Sequence, residues 1–173
     1  MKKLLPIALL LIALTGCANA PSVGKTADET PSATPSAESV SRWAGVVAEQ
    51  QVTLDDWFGT WDDNTCSALS IEVWLCGASI MSASYITTTM HLGVSGASNE
   101  VSDDFLGEVP AEIDDLYAET VELTEEAKMA GDAWQSSTCN ADTSGEGCIS
   151  LAFTLENALS GVQTKFAAWS PYL

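Results

Sequence analysis

Apolar positions recur along this chain at threes and fours, in four separate stretches. The first runs through Val40, Val47, Leu54 and Trp61, with Trp43, Ala44, Trp57 and Phe58 filling intervening positions. That spacing is the period of a helical stripe and predicts an amphipathic helix over about 38–64. Thr53 followed by Asp56 offers an alternative helix start inside it. The second stretch, 77–94, places Ile80, Met81, Ile86, Met90 and Val94 among many Ser, Thr and Ala. Ile86 to Thr89 would suit a strand. The run is longer than a usual strand, however, and its small residues allow close packing, so it reads as a helix. A polar loop spans Gly93 to Gly107, and Pro110 sits where a first helical turn tolerates proline. The third stretch alternates fours and threes through Ile113, Leu116, Thr120, Leu123, Ala127, Ala130 and Trp134. Asp114, Asp115, Glu119, Glu122, Glu125 and Glu126 occupy its other face. The fourth runs through Ala152, Leu155, Leu159, Val162, Phe166 and Trp169. It ends in an apolar terminus, Pro171-Tyr172-Leu173, that is expected to dock on the domain.

The first and third stretches match each other. Moving Val40, Val47, Leu54 and Trp61 along by seventy-three residues lands on Ile113, Thr120, Ala127 and Trp134. Each Trp precedes a cysteine by five residues, Cys66 in one copy and Cys139 in the other, and a second cysteine, Cys76 or Cys148, opens the next apolar stretch. Four cysteines in an exported domain read as two disulfides, for which three pairings exist. The local pairs Cys66–Cys76 and Cys139–Cys148 suit the repeat. Ten helical steps would hold two Cα atoms about 15 Å apart, whereas a disulfide tolerates at most about 7 Å, so each segment must fold back. Zinc is the competing use of the cysteines, but the spacings are wrong for a ribbon site. The pattern therefore predicts an all-α domain over 38–173. It would be an antiparallel four-helix bundle made of two disulfide-pinned hairpins, about 38–97 and 108–170.

The amino terminus has a different character. Lys2 and Lys3 precede an apolar run from Leu4 to Leu14, eleven residues long and short of the ~20 that a spanning helix needs. The run ends in Leu14-Thr15-Gly16-Cys17. This stretch resembles the lipobox of bacterial lipoproteins, over residues 1–17 only. The resemblance implies that residues 1–16 are a signal peptide and that Cys17 carries diacylglycerol as the mature N-terminus. An ordinary secretory cleavage after Ala18-Asn19-Ala20 is the alternative, and both place the domain outside the cytoplasm. Residues 18–37 are rich in Ala, Pro, Ser and Thr without apolar periodicity, the composition of a disordered linker. Such a coil would reach about 25 Å. Gly24-Lys25-Thr26 looks like the end of a Walker loop, but Asn19 stands where the motif needs glycine.

Charge narrows the function further. Removing Lys2 and Lys3 with the leader leaves four basic residues against twenty-four acidic ones, a formal charge of −20. That argues against nucleic-acid binding, which needs a basic footprint, and against electrostatic docking on anionic lipid. The sole histidine, His91, lies in a mostly apolar stretch and reads as structural. Gly93-Val94-Ser95-Gly96 lacks the spacing of a nucleophile elbow. Asp62-Asp63-Asn64 lacks the remaining ligands of a calcium loop. The acid pairs Asp55-Asp56, Asp62-Asp63, Asp103-Asp104 and Asp114-Asp115 could serve an envelope hydrolase, yet on so acidic a surface they read first as solvated. No catalytic residue, metal or cofactor is expected.

The two cysteine-closed loops differ in content. Asn140 to Gly147 is polar. Ser67 to Leu75 carries Leu69, Ile71, Val73, Trp74 and Leu75, and its apolar and polar residues partly alternate. These side chains either seal the open end of the core or form an exposed apolar tip of Leu69, Ile71, Val73 and Trp74, and exposure of Trp74 separates the two. The sequence thus points to a non-enzymatic lipoprotein, anchored to the membrane through Cys17 on its extracytoplasmic face. Its helical domain would meet another envelope or extracellular protein. The alternative is a cell-wall glycan or small-molecule binder using Trp57, Trp61 and Trp134 around a cleft between hairpins.

Overall fold

The computed structural model describes residues 37–173; the leader, Cys17 and most of the linker lie outside the described residues. Four α-helices account for most of what is described: α1, Ala37–Asp63; α2, Trp74–Gly96; α3, Asp114–Ser136; and α4, Cys148–Ala167. Short 3₁₀ turns occupy Ala68–Ser70, Thr138–Asn140 and Ser170–Tyr172, and there is no strand among the described residues. α2 packs on α1 and on α3, α3 packs on α4, and α1 touches α4; the α2–α3 contact is the most extensive.

All eight positions related by the seventy-three-residue shift are buried, from Val40, Val47, Leu54 and Trp61 on α1 to Ile113, Thr120, Ala127 and Trp134 on and just before α3. α2 contributes Ile80, Ala83, Met90 and Val94 to the same core, and α4 contributes Leu155, Leu159, Val162 and Phe166. The apolar seams of all four helices thus remove one another from water, which is the main force available to hold such an assembly. Helix α1 runs unbroken past Thr53, because Leu54 and Trp57 continue its buried seam. Helix α3 starts at Asp114, after Pro110: Pro110 sits in the preceding turn, where its carbonyl accepts from the Ile113 N–H at 3.0 Å. The carboxyl end docks through Trp169, whose Nε1 donates to Thr120 Oγ1 at 3.0 Å, while Leu173 remains exposed.

Helix α2 forms despite its many Ser and Thr because their hydroxyls are satisfied locally. Ser82 Oγ donates to the Ser79 carbonyl, Ser84 Oγ to Met81, Thr87 Oγ1 to Ser84 and Thr89 Oγ1 to Ile86, at 2.7–2.9 Å. A hydroxyl bonded within its own helix can be buried without leaving an unpaired donor. The same small residues let α3 come close. A Cβ on Gly131 would overlap Thr87 Oγ1 and stand 2.9 Å from the Ser84 carbonyl oxygen. Gln135 Nε2 donates to that Ser84 carbonyl at 2.7 Å. Farther along, the buried Tyr117 hydroxyl donates to the Val94 carbonyl at 2.7 Å and pairs with Ser98 Oγ at 3.0 Å. Burial raises the Tyr117 pKa above its ordinary value, and the Ser98 hydrogen bonds partly oppose the rise.

The two disulfides are Cys66–Cys76 and Cys139–Cys148, each with Cα atoms 5.4 Å apart. They close the chain between α1 and α2 and between α3 and α4. Closing loops of this size constrains the unfolded chain and contributes roughly 2–3 kcal/mol each.

The glycines separate two effects. Gly131→Ala drives a methyl into the backbone of α2 and should destabilise the domain by about 1–3 kcal/mol. Gly59 lies exposed in α1 with nothing within 4 Å of a Cβ. Gly59→Ala should therefore stabilise by about 0.5–1 kcal/mol through helix propensity alone. Urea unfolding of both variants reads the opposite signs.

Candidate interaction tip

The first loop begins where α1 ends. Thr65 adopts a left-handed conformation, φ 54°, and the Cys66 N–H closes back on the Trp61 carbonyl at 3.0 Å. Glycine usually supplies this helix-ending geometry. A single 3₁₀ turn, Ala68–Ser70, then carries the chain across the end of the domain. Three residues complete each turn of such a helix, so positions three apart share a side. Ala68 and Ile71 accordingly point inward, at 2% and 0% exposure, while Leu69 between them is 78% exposed. Ile71 therefore does not belong to the expected tip. It is a core residue, because the segment turns with a period of three where an alternating strand would have a period of two.

The remaining tip residues are outside. Trp74 is 80% exposed, and Val73 and Leu75 are exposed beside it. Three contacts hold the loop in this orientation. Ser70 Oγ accepts from the Ser67 N–H at 2.8 Å. Glu156, reaching from α4, accepts from the Ala68 N–H at 3.1 Å through Oε2 and from Trp61 Nε1 at 3.2 Å through Oε1. The Ile71 carbonyl oxygen lies 2.8 Å from where a Cβ on Gly77 would stand, so the loop closes on α2 only because Gly77 has no side chain.

The second loop joins the same surface. Thr143 Cγ2 lies 3.2 Å from that Gly77 position, which brings the two disulfide-closed loops together at the start of α2. A groove of about 320 Å³ runs between them, lined by Glu72, Trp74, Met81, Asn140, Asp142 and Thr143. A second, of about 300 Å³, separates the first loop from α4 and is lined by Phe58, Leu69, Phe153 and Glu156. Ile149 and Phe153 on α4 are exposed and extend the apolar area. Both stand off the buried seam of α4, which was the sequence signal for them. The acids at the end of α1 and in the two loops, Asp62, Asp63, Glu72, Asp142 and Glu146, are all exposed, and Glu72 and Asp142 line the first groove. The Asp142 carboxylate is held below its ordinary pKa by hydrogen bonds from Ser144, first from the side chain at 2.7 Å and then from the backbone N–H at 3.0 Å.

No protein family, curated protein or solved structure matches the chain. Trp57, Trp61 and Trp134, considered for a glycan cleft, are at most 5% exposed. Trp57 and Trp61 stack on each other with ring centroids 5.1 Å apart, and Trp57 Nε1 donates to the Ser79 carbonyl. These indoles are packing, and none offers a free face. His91 is half-buried with Nδ1 3.3 Å from Thr124 Oγ1, a contact between α2 and α3. The four Asp pairs are exposed, and among the described residues no group of three or more His, Cys, Asp or Glu could hold a metal. Nor is any described helix long and apolar enough to cross a membrane.

Two measurements test this geometry. Trp43, Trp57, Trp61, Trp134 and Trp169 are buried, so acrylamide should quench essentially one indole of six, and Trp74→Phe should abolish the accessible fraction. Glu156→Ala leaves two donors without a partner and should destabilise the domain by about 2–4 kcal/mol; Glu156→Gln keeps one acceptor oxygen and should cost about half of that in urea unfolding.

Proposed function

We propose that this protein is a non-enzymatic lipoprotein whose disulfide-closed tip docks on another protein outside the cytoplasm. In this reading Cys17 carries the lipid and residues 18–37 space the domain from the membrane. The four helices form an antiparallel bundle of two pinned hairpins, 38–97 and 108–170. The observation that carries the docking role is the 80% exposure of Trp74 at the start of α2, inside the span closed by a disulfide, together with Leu69 at 78% in the loop before it. An exposed apolar cluster of this kind marks a contact surface, and tryptophan is prominent among residues that dominate binding. Rigidity matters as much as exposure: a loop already held in one shape loses little entropy on docking. The acidic rim favours a partner face carrying Lys or Arg around an apolar pocket, which it would steer into register.

The two parts of the reading are tested separately. Cys17→Ser should shift the protein from the membrane pellet to the soluble fraction and abolish incorporation of labelled palmitate; an unchanged pellet refutes the anchor. A photo-crosslinking amino acid at position 74 should give one discrete adduct in living cells, lost on Leu69→Asp. The same probe at Glu122, on the acidic face of α3, should give none. Equal adducts at both positions would sink the tip.

A further inference from the structure

Helix α2 has a second, largely apolar face that the other helices leave exposed. Trp74, Ala78, Met81, Tyr85, Thr88 and Leu92 follow one another at spacings of four, three, four, three and four. That is the a/d seam of a helix with another helix alongside. Yet Trp74, Met81, Tyr85 and Leu92 are exposed, at 80%, 37%, 55% and 59%. The core is served by a different set on the same helix, Ile80, Ala83, Thr87, Met90 and Val94. A surface helix ordinarily presents charged residues opposite its buried stripe. α2 has none: its twenty-three residues include no Asp, Glu, Lys or Arg, and among the four helices described it is alone in this. The outer face of α4 differs, since Ile149 and Phe153 occupy only its first two turns and are followed by Asn157, Ser160 and Thr164.

We propose that this face pairs with the same face of a second copy of the chain. Charge selects the occupant. The seam's own residues carry no carboxylate, so a foreign cationic face would gain there only at the Trp74–Met81 end, from Glu72 and Asp142. Two copies repel each other overall, and they approach most closely without opposing like charges where both surfaces are uncharged. Acids at the flanks, Glu72 and Asp142 beside Trp74 and Met81 and Asp56 on α1, would remain in solvent, where salt screens them within about 8 Å. The seam is also its own complement. Run antiparallel about a twofold axis level with Ala83, Trp74 meets Leu92 of the second copy, Ala78 meets Thr88, and Met81 meets Tyr85. Large residues face large and small face small, and the central pair is a thioether against an aromatic ring, itself a favourable contact. Self-complementarity of this kind is what a twofold interface requires.

The size of the face sets the strength. A helix of this length is about 35 Å long and about 10 Å wide. The footprint of roughly 350 Å² falls below the ~800 Å² per partner of a standard interface, so the dimer should be weak, with a dissociation constant of roughly micromolar or higher. The inference does not rest on the lipid anchor or on Leu69 and Val73, which lie outside the seam. Trp74 and Met81 belong to both surfaces, so Tyr85 is the deciding position of the test.

The experiment is sedimentation equilibrium of the full chain expressed for export with Cys17→Ser, which removes the one cysteine outside the two disulfides. Between roughly 10 and 200 µM the mass should rise toward twice the monomer value, a range set by the small interface. Raising salt should strengthen association, because the copies carry like charge. Met81→Glu and Tyr85→Glu should each return the protein to monomer with an unchanged melting temperature, since both side chains are exposed, whereas Phe153→Glu on α4 should leave the dimer intact. Four results would overturn the proposal: monomer throughout, association weakened by salt, loss of the dimer in Phe153→Glu but not in Tyr85→Glu, or a monomer that binds phosphatidylcholine vesicles through Tyr85.

Discussion

Closure of the nine residues between Cys66 and Cys76 to a Cα separation of 5.4 Å is the constraint from which the rest of this end follows. The segment is too short to wander and too apolar to satisfy fully. One 3₁₀ turn can direct only every third side chain inward, so Ala68 and Ile71 enter the core and Leu69 cannot. The turn needs an acceptor for its leading N–H groups, and Glu156 supplies one from the far side of the fold. Because the same carboxylate takes the Trp61 indole proton, α1, the loop and α4 are tied at one point. The bridge places the loop, Glu156 orients it, and Gly77 admits its backbone.

Away from the loops, stability depends on close approach between α2 and α3. Gly131 faces Thr87 and Ser84 with no room for a methyl group. Ala83, Ala127 and Ala130 continue the small-residue contact, and the hydroxyls in it are bonded within their own helix. This tight, mostly uncharged seam opposes a surface whose acids repel one another. Two ion pairs are present among the described residues, Lys128–Asp132 and Lys165–Glu119, and exposed pairs of this kind contribute little. Packing and the two bridges therefore carry the load that charge works against.

Periodicity made much of this legible in advance. The four seams, the eight positions of the repeat and the fold-back at each cysteine pair all follow from local spacing, and local spacing is what a sequence displays. Three features were not legible, each for its own reason. The sequence of the loop alternates and so places Ile71 on the tip, because a lone 3₁₀ turn leaves no periodic trace. The role of Glu156 joins residues 95 and 88 positions apart, and no local pattern encodes such a contact. The outer seam of α2 was present in the sequence all along, at Trp74, Met81, Tyr85 and Leu92. It was hidden by the core seam, since a helix apolar on two faces has no polar side against which either stands out.

The two loops share a frame and have opposite surfaces, and that contrast bears on why Trp74 is outside. Trp61 has Glu156 for its Nε1, whereas the buried Nε1 of its counterpart Trp134 and the buried Oδ1 of Asn140 have no partner among the described residues. The second loop is polar on its outside, whereas the first has no buried side-chain polar atom left unpaired and is apolar on its outside. Leaving a large apolar side chain in water forgoes about 1.5–3 kcal/mol of burial, so Leu69 and Trp74 would fold onto the domain if the loop were free to turn over. The disulfide, the carboxylate anchor and the Gly77 contact together remove that freedom. A loop loosely held would hide its tryptophan, and this one is braced at three points in the orientation that exposes it. The bracing therefore preserves an apolar surface that the isolated domain gains nothing by keeping, which is the physical reason to look for its use in contact with something else.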